Sequence, residues 1–239
     1  MSRLWIRLLG LAISAALAGC TGAVRSVSPD EPLPGYFPVS SSGAAALLYM
    51  GSAVQWNTHY AVSAAHIPSL RNVVHHCSTG CDLVFIRRDA EGRPPVWRPA
   101  ITGEVLNTVG QNPFLGTLKG TGTSKAQRVR LDVEGDRTRY ALSDAPVVEG
   151  MSGGPVYGAD QAVVGITVGI YLPHLPLPAS LASSKPLTVY VPYDIIQREW
   201  QLFSALQGRG RSSPREVAIH ETPMKTARPS YPGSVRSLP

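Results

Sequence analysis

The sequence predicts an all-β fold closed by one C-terminal helix, and three observations predict it. Short apolar runs rich in Val, Ile, Tyr and Ala recur between residues 44 and 191, each about the length of a strand. Gly, Pro, Asn and Asp punctuate the gaps between them. Asp194–Leu206 instead carries its apolar residues (Ile195, Ile196, Trp200, Phe203, Leu206) at helical spacing. With 44% hydrophobic residues in 239, the chain is long enough for one large domain of this class or two small ones.

Residues 1–20 read as a secretory signal: Arg3 and Arg7 precede the apolar stretch Leu8–Leu17, which is too short to span a bilayer. Leu17-Ala18-Gly19-Cys20 resembles a bacterial lipobox, which implies that Cys20 becomes the lipidated first residue of the mature protein. The alternative is an ordinary signal peptide with a chance cysteine. Thr21 follows the cysteine, which by resemblance to Gram-negative lipoproteins implies the outer membrane. The partner of this segment would be the membrane itself. Residues 21–42, rich in Ser, Pro and Gly, read as a flexible tether, and the fold is expected over residues 43–207.

Ala44–Gly51, Ala53–Asn57 and His59–Ala65 read as three strands with short turns, followed by strands over Asp82–Arg88 and Val96–Val105. Leu106–Gly122 is rich in Gly, Asn and Thr and reads as the connection between two halves of the fold, then the entry into the second. Arg128–Val133 and Thr138–Leu142 flank Glu134-Gly135-Asp136 as a hairpin with one exposed face. Gln161–Ile170 is an apolar strand pair, Pro173–Ser184 a proline-rich loop and Leu187–Val191 a last strand. Residues 208–239 are polar and aperiodic and read as a disordered tail.

The tail holds six of the 22 Lys and Arg and the signal two, leaving 14 against 14 Asp and Glu over residues 20–207. The formal charge of +6 therefore belongs to the chain ends, and no nucleic-acid partner is expected. Setting Cys20 aside leaves Cys77 and Cys81, which an envelope location would allow to pair as a disulfide beside Asp82. His75, His76, Cys77 and Cys81 are alternatively four metal ligands, and a reduced pair is a third reading. Adjacent ligands do not match the spaced pairs of structural zinc sites, so no metal is expected.

The chemistry-bearing stretch is Gly150-Met151-Ser152-Gly153-Gly154-Pro155. In a tight glycine turn the N–H groups of Gly150 and Ser152 can converge beside the serine hydroxyl, the layout of an oxyanion hole. Taken alone, the stretch reads equally well as an ordinary loop. Tyr60-Ala61-Val62-Ser63-Ala64-Ala65-His66 is a strand running into a histidine, and Asp82-Leu83-Val84-Phe85-Ile86 is a strand opening on an aspartate.

Together these three stretches resemble the nucleophile, histidine and aspartate motifs of chymotrypsin-like serine proteases, in that family's chain order. The resemblance spans about residues 40–205, and the strand, proline and helix at its end are similar to HtrA-like catalytic domains. It implies two antiparallel β-barrels, over residues 43–106 and 107–207. It implies His66, Asp82 and Ser152 as a catalytic triad acting on a protein or peptide substrate, with no cofactor. Asp89 is the alternative acid. The resemblance also implies a substrate pocket from Pro146 and Glu149 with Thr167, Val168 and Gly169, and a Thr167 hydroxyl near Asp82. Met151 replaces the aspartate that pairs with a freed N-terminus in digestive members, so that activation route is excluded. Pro146 at the pocket base implies a preference for small or apolar side chains. The reading from another class is a protease-fold lipoprotein that binds and does not cleave.

Overall fold

Strands form where apolar residues alternate or run on, and they collect into two antiparallel sheets. The computed structural model describes residues 23–40, 50–68, 70–171 and 186–211. In chain order the elements are β1 (Arg25–Ser26), β2 (Tyr36–Ser40), β3 (Met50–Gln55), β4 (Tyr60–Ser63), β5 (Val73–His76), β6 (Val84–Arg87), β7 (Val105–Asn112), β8 (Gly116–Val129), β9 (Tyr140–Ser143), β10 (Pro155–Tyr157), β11 (Val163–Tyr171), β12 (Leu187–Pro192) and α1 (Tyr193–Arg211).

The first sheet has the order β2-β3-β4-β6-β5, the second β1-β8-β7-β10-β11-β12-β9. In the second, β9 also pairs with β8, through Ser124↔Ser143 and Arg128↔Ala141, so the sheet curls back on itself. One apolar cluster joins the inner faces: Val54, Val62, Leu83 and Phe85 meet Val109, Tyr140, Leu142, Ile166 and Val189. Each such side chain contributes about 1.5–3 kcal/mol by leaving water.

Three expectations need correction. Residues 21–42 are not a tether throughout, because β2 pairs along its whole length with β3, from Tyr36↔Val54 to Ser40↔Met50. The average composition of that stretch conceals the apolar residues Tyr36, Phe37 and Val39. Residues 96–104 do not form a strand of the first sheet. Pro95 and Pro99 deny a longer ladder its donors there; the segment makes one backbone bridge, to Val163, and is held by side chains: Trp97 Nε1 donates to the Gln55 carbonyl at 3.1 Å, and Arg98 pairs with Glu104 at 2.7 Å and Asp160 at 2.8 Å. Leu106–Gly122 is no mere connection but most of the β7–β8 hairpin, paired from Val105↔Thr123 to Asn112↔Gly116.

The helix α1 starts directly after Pro192, and Asp194 in its first turn pairs with Arg128 at 2.8 Å. Ile196 and Phe203 are buried, and the Trp200 ring packs against Phe85 and Tyr60. Glu199 is fully buried on the same helix. The chain divides after Phe203; of the second unit, the described part is the last helical turns, 204–211. The signal and lipobox, Ala44–Tyr49 of the expected first strand, the loop Pro173–Ser184 and tail residues 212–239 lie outside the described residues.

Candidate active site

The register of β4 on β6 brings His66 to Asp82. Ser63, the end of β4, lies opposite Val84, the start of β6. His66 three residues past one end and Asp82 two residues before the other therefore leave the sheet at the same corner. Asp82 Oδ1 accepts the His66 backbone N–H at 2.9 Å, and Oδ2 lies 2.5 Å from His66 Nδ1. The carboxylate beside Nδ1 holds His66 above the ordinary histidine range, opposed by partial burial. Both side chains keep some access to solvent, at 48% and 21% exposure.

Asp82 is itself positioned. Cys77 and Cys81 are joined by a disulfide that closes a small loop ending beside it. The Asp82 backbone N–H donates at 2.9 Å to the buried Tyr140 hydroxyl, which donates at 2.6 Å to Asp136 Oδ2. Burial and the Asp136 carboxylate push the Tyr140 hydroxyl well above its usual pKa, so it stays protonated. At the far side of the loop, Glu199 accepts from Ser78 N–H at 2.7 Å and Ser78 Oγ at 2.9 Å, and lies 3.3 Å from His75 Nε2. Of the four alternative metal ligands, Cys77 and Cys81 are joined to each other and His75 faces Glu199. Asp89, the alternative acid, lies 2.7 Å from His59 rather than near His66.

Ser152 stands in the turn between β9 and β10. Met151 is fully buried where the digestive proteases carry a charge, and its N–H closes a turn on the Val148 carbonyl at 3.2 Å. The Ser152 carbonyl accepts from Ser52 N–H at 2.8 Å, and the Gly153 N–H donates to the Thr167 carbonyl at 2.7 Å. Gly153 has φ +79°, and a Cβ there would sit 2.1 Å from the Ser52 carbonyl oxygen, so only glycine fits. The N–H groups of Gly150 and Ser152 have no hydrogen-bond partner among the described residues.

His66 and Ser152 line one cleft of about 330 Å³, with Met50, Ile67, Pro68, Pro113, Glu149 and Gly150. Among the described residues no hydrogen bond joins Ser152 Oγ to the imidazole. Of the expected substrate residues, Glu149 lines this cleft and Pro146, Thr167, Val168 and Gly169 do not. Pro146 is buried, its carbonyl accepting from Thr108 Oγ1 at 2.9 Å. Among the described residues the buried Thr167 hydroxyl has no hydrogen-bond partner, Asp82 included. Gly169 lies on β11, where among the described residues Gly169–Tyr171 pair with β12 alone. Sequence reading missed Tyr140, Asp136, Ser52 and Asn112, which act through contacts far along the chain; no local pattern marks them.

No family model matches the chain. Two curated proteins named probable periplasmic serine endoprotease DegP-like are similar to it. The one from Rickettsia conorii is 31% identical over 105 residues, 40% of this chain, and the one from Rickettsia prowazekii is 31% identical over 102 residues. The match spans 20% of the length of either relative. Among solved structures, the HtrA-type protease AlgW with tripeptide superposes with TM-score 0.56 at 18% identity, over 74% of this chain and 62% of that one. The serine endoprotease from Yersinia pestis superposes with TM-score 0.53 at 19% identity, over 72% and 63%. The chain therefore has the trypsin-like fold of the HtrA- and DegP-like serine proteases.

Proposed function

We propose that the chain is a serine endopeptidase working through an acyl-enzyme, with Ser152 as nucleophile, His66 as base and Asp82 as the orienting acid. The observation that carries this reading is the His66 Nδ1–Asp82 contact on a cleft that Ser152 shares. With its Nδ1 proton held by Asp82, the neutral ring has its lone pair on Nε2. Nε2 takes the Ser152 proton as Oγ bonds to the scissile carbonyl carbon. The N–H groups of Gly150 and Ser152 hold the oxyanion. The C–N bond breaks, the leaving amine takes the proton from Nε2, and water repeats the steps on the ester. The open Ser152–His66 contact closes when substrate fills the cleft.

The substrate is a peptide that adds to β11 as a further strand along Gly169–Tyr171; the tripeptide of the AlgW structure supports this class. Met50, Ile67, Pro68 and Pro113 give the cleft apolar walls, and each buried Å² of apolar substrate gains about 25 cal/mol. Cleavage beside small or apolar residues is expected, and a peptide library dominated by cleavage beside Arg or Lys would overturn that preference. The periplasmic relatives and the lipobox-like Cys20 together support a lipid anchor in the bacterial envelope, at the outer membrane.

The Ser152 hydroxyl, unbonded among the described residues, also favours a second reading, a binding lipoprotein without catalysis. A fluorophosphonate probe separates the two. The proposal expects a covalent adduct on wild type and none on Ser152→Ala, whose turnover should fall about a million-fold. An unlabelled wild type supports the binding reading.

A further inference from the structure

The oxyanion donor Gly150 is held from two sides by groups outside the motif. Asn112, the last residue of β7, uses both ends of its amide. Its Oδ1 accepts the N–H groups of Phe114 and Leu115 at 2.9 and 3.0 Å, which closes the hairpin tip. Its Nδ2 donates to the Glu149 carbonyl at 3.0 Å. On the other side of Gly150, the buried Ser52 hydroxyl donates to the Gly150 carbonyl at 3.4 Å and accepts the Gln111 N–H at 2.8 Å. The hairpin sits directly on the glycine: a Cβ on Gly150 would lie 2.5 Å from the Gln111 carbonyl oxygen.

The peptide geometry turns this into a statement about the hole. All peptide bonds described are trans, so the Glu149 C=O and the Gly150 N–H point in opposite directions. Anchoring that oxygen on the hairpin directs the Gly150 N–H away from the hairpin, on a residue that lines the cleft with Ser152. Gly150 has φ +90° and no side chain, so its flanking peptides turn over easily unless something grips them.

We infer that Asn112 is a positioning residue for the oxyanion hole, its Nδ2 fixing the Glu149–Gly150 peptide in the orientation that offers the Gly150 N–H. This rests on the protease reading above. Asn112 touches no reacting atom; it acts through Gly150. Because the hole is used in the transition state, loss of the grip lowers kcat and leaves substrate binding in place.

Asn112→Asp tests this in the full chain. It keeps the oxygen that closes the hairpin tip and replaces the donor with an oxygen that repels the Glu149 carbonyl. The expected results are a fall in kcat of about a hundred-fold, KM within about threefold, and an equal weakening of a peptidyl trifluoromethyl ketone, which needs the hole. The melting temperature stays at the wild-type value, and a crystal structure of the variant has the Glu149–Gly150 peptide turned over. Asn112→Ala loses kcat similarly. Wild-type kcat in Asn112→Asp overturns the inference alone, as does a loss that appears only with a lowered melting temperature. A wild type that neither cleaves peptides nor takes the fluorophosphonate overturns the protease reading and this inference with it.

Discussion

Asp82 sets both the direction and the basicity of the His66 ring. Its carboxylate raises the histidine above its ordinary pKa, against the effect of burial. General-base catalysis needs the neutral ring, so kcat/KM should rise with pH through a value above that of free histidine. Asp82→Asn removes the charge. Its acid limb should move to lower pH, and turnover should fall about ten-thousand-fold through the wrong tautomer. A pH profile whose limb does not move would detach Asp82 from His66. For stability the sign is the reverse. A raised histidine value contributes stability that is present below the unfolded value and lost as pH rises through the folded one. Tyr140 supports the acid from behind. Tyr140→Phe strands the Asp82 N–H, at a cost of about 1–3 kcal/mol in urea unfolding. It should also lower kcat while the Ser152 probe adduct still forms. Unchanged kcat would make Tyr140 a packing residue only.

The turn between β9 and β10 works as an element because its closest approaches at Ser152 and Gly153 are backbone contacts. Gly153 faces the Ser52 carbonyl oxygen, and Ser152 and Gly153 hydrogen-bond to β3 and β11 through Ser52 and Thr167. Gly153→Ala brings a Cβ against backbone that cannot yield and adds a left-handed conformation worth about 1–2 kcal/mol against a non-glycine residue. The turn must shift, and Ser152 shifts with it. Probe labelling of this variant should slow at least tenfold relative to wild type, as misplacement of reacting groups does, with a lower melting temperature. Labelling at the wild-type rate would mean that the turn is softer than its contacts indicate. The β7–β8 hairpin belongs to the same unit, which is why a stretch that reads as a connection contributes Gln111, Asn112 and Pro113 to the site.

At the scale of the molecule, α1 is locked to the acid loop by one buried carboxylate. Glu199 is fully buried, and although burial raises its pKa, the bonds from Ser78, Arg198 and His75 hold it below the ordinary glutamate value. A depressed carboxylate contributes stability that is present above its unfolded value and lost as pH falls through the folded one. Glu199→Gln should therefore cost about 1–3 kcal/mol at neutral pH, and the gap to wild type should narrow below pH ~4. A gap independent of pH in urea titrations would mean that charge plays no part. The anchor is tested at the same scale: Cys20→Ser should move the protein from the membrane fraction to the soluble one. A wild type found soluble, with its amino terminus beyond residue 20, would remove the anchor.

By itself the sequence determined the β class, the closing helix and the candidate residues Ser152, His66 and Asp82, because each is written in a short local pattern. A glycine turn, a strand ending in histidine and a strand opening on aspartate are readable within about seven residues. The strand at 36–40 is not legible in the composition of 21–42, because the Ser- and Pro-rich remainder outweighs Tyr36, Phe37 and Val39. Pro146, Thr167 and Val168 are buried and do not line the cleft of His66 and Ser152, because burial is decided by what packs above them. The tertiary structure alone decided the supports. Asn112 meets Glu149 across 37 residues, Asp82 meets Tyr140 across 58, and Ser78 meets Glu199 across 121. Such bonds follow from strand register and sheet closure. Their partners carry no local signal, because a tyrosine, an asparagine or a glutamate is equally at home on a surface until the fold brings a backbone group within reach.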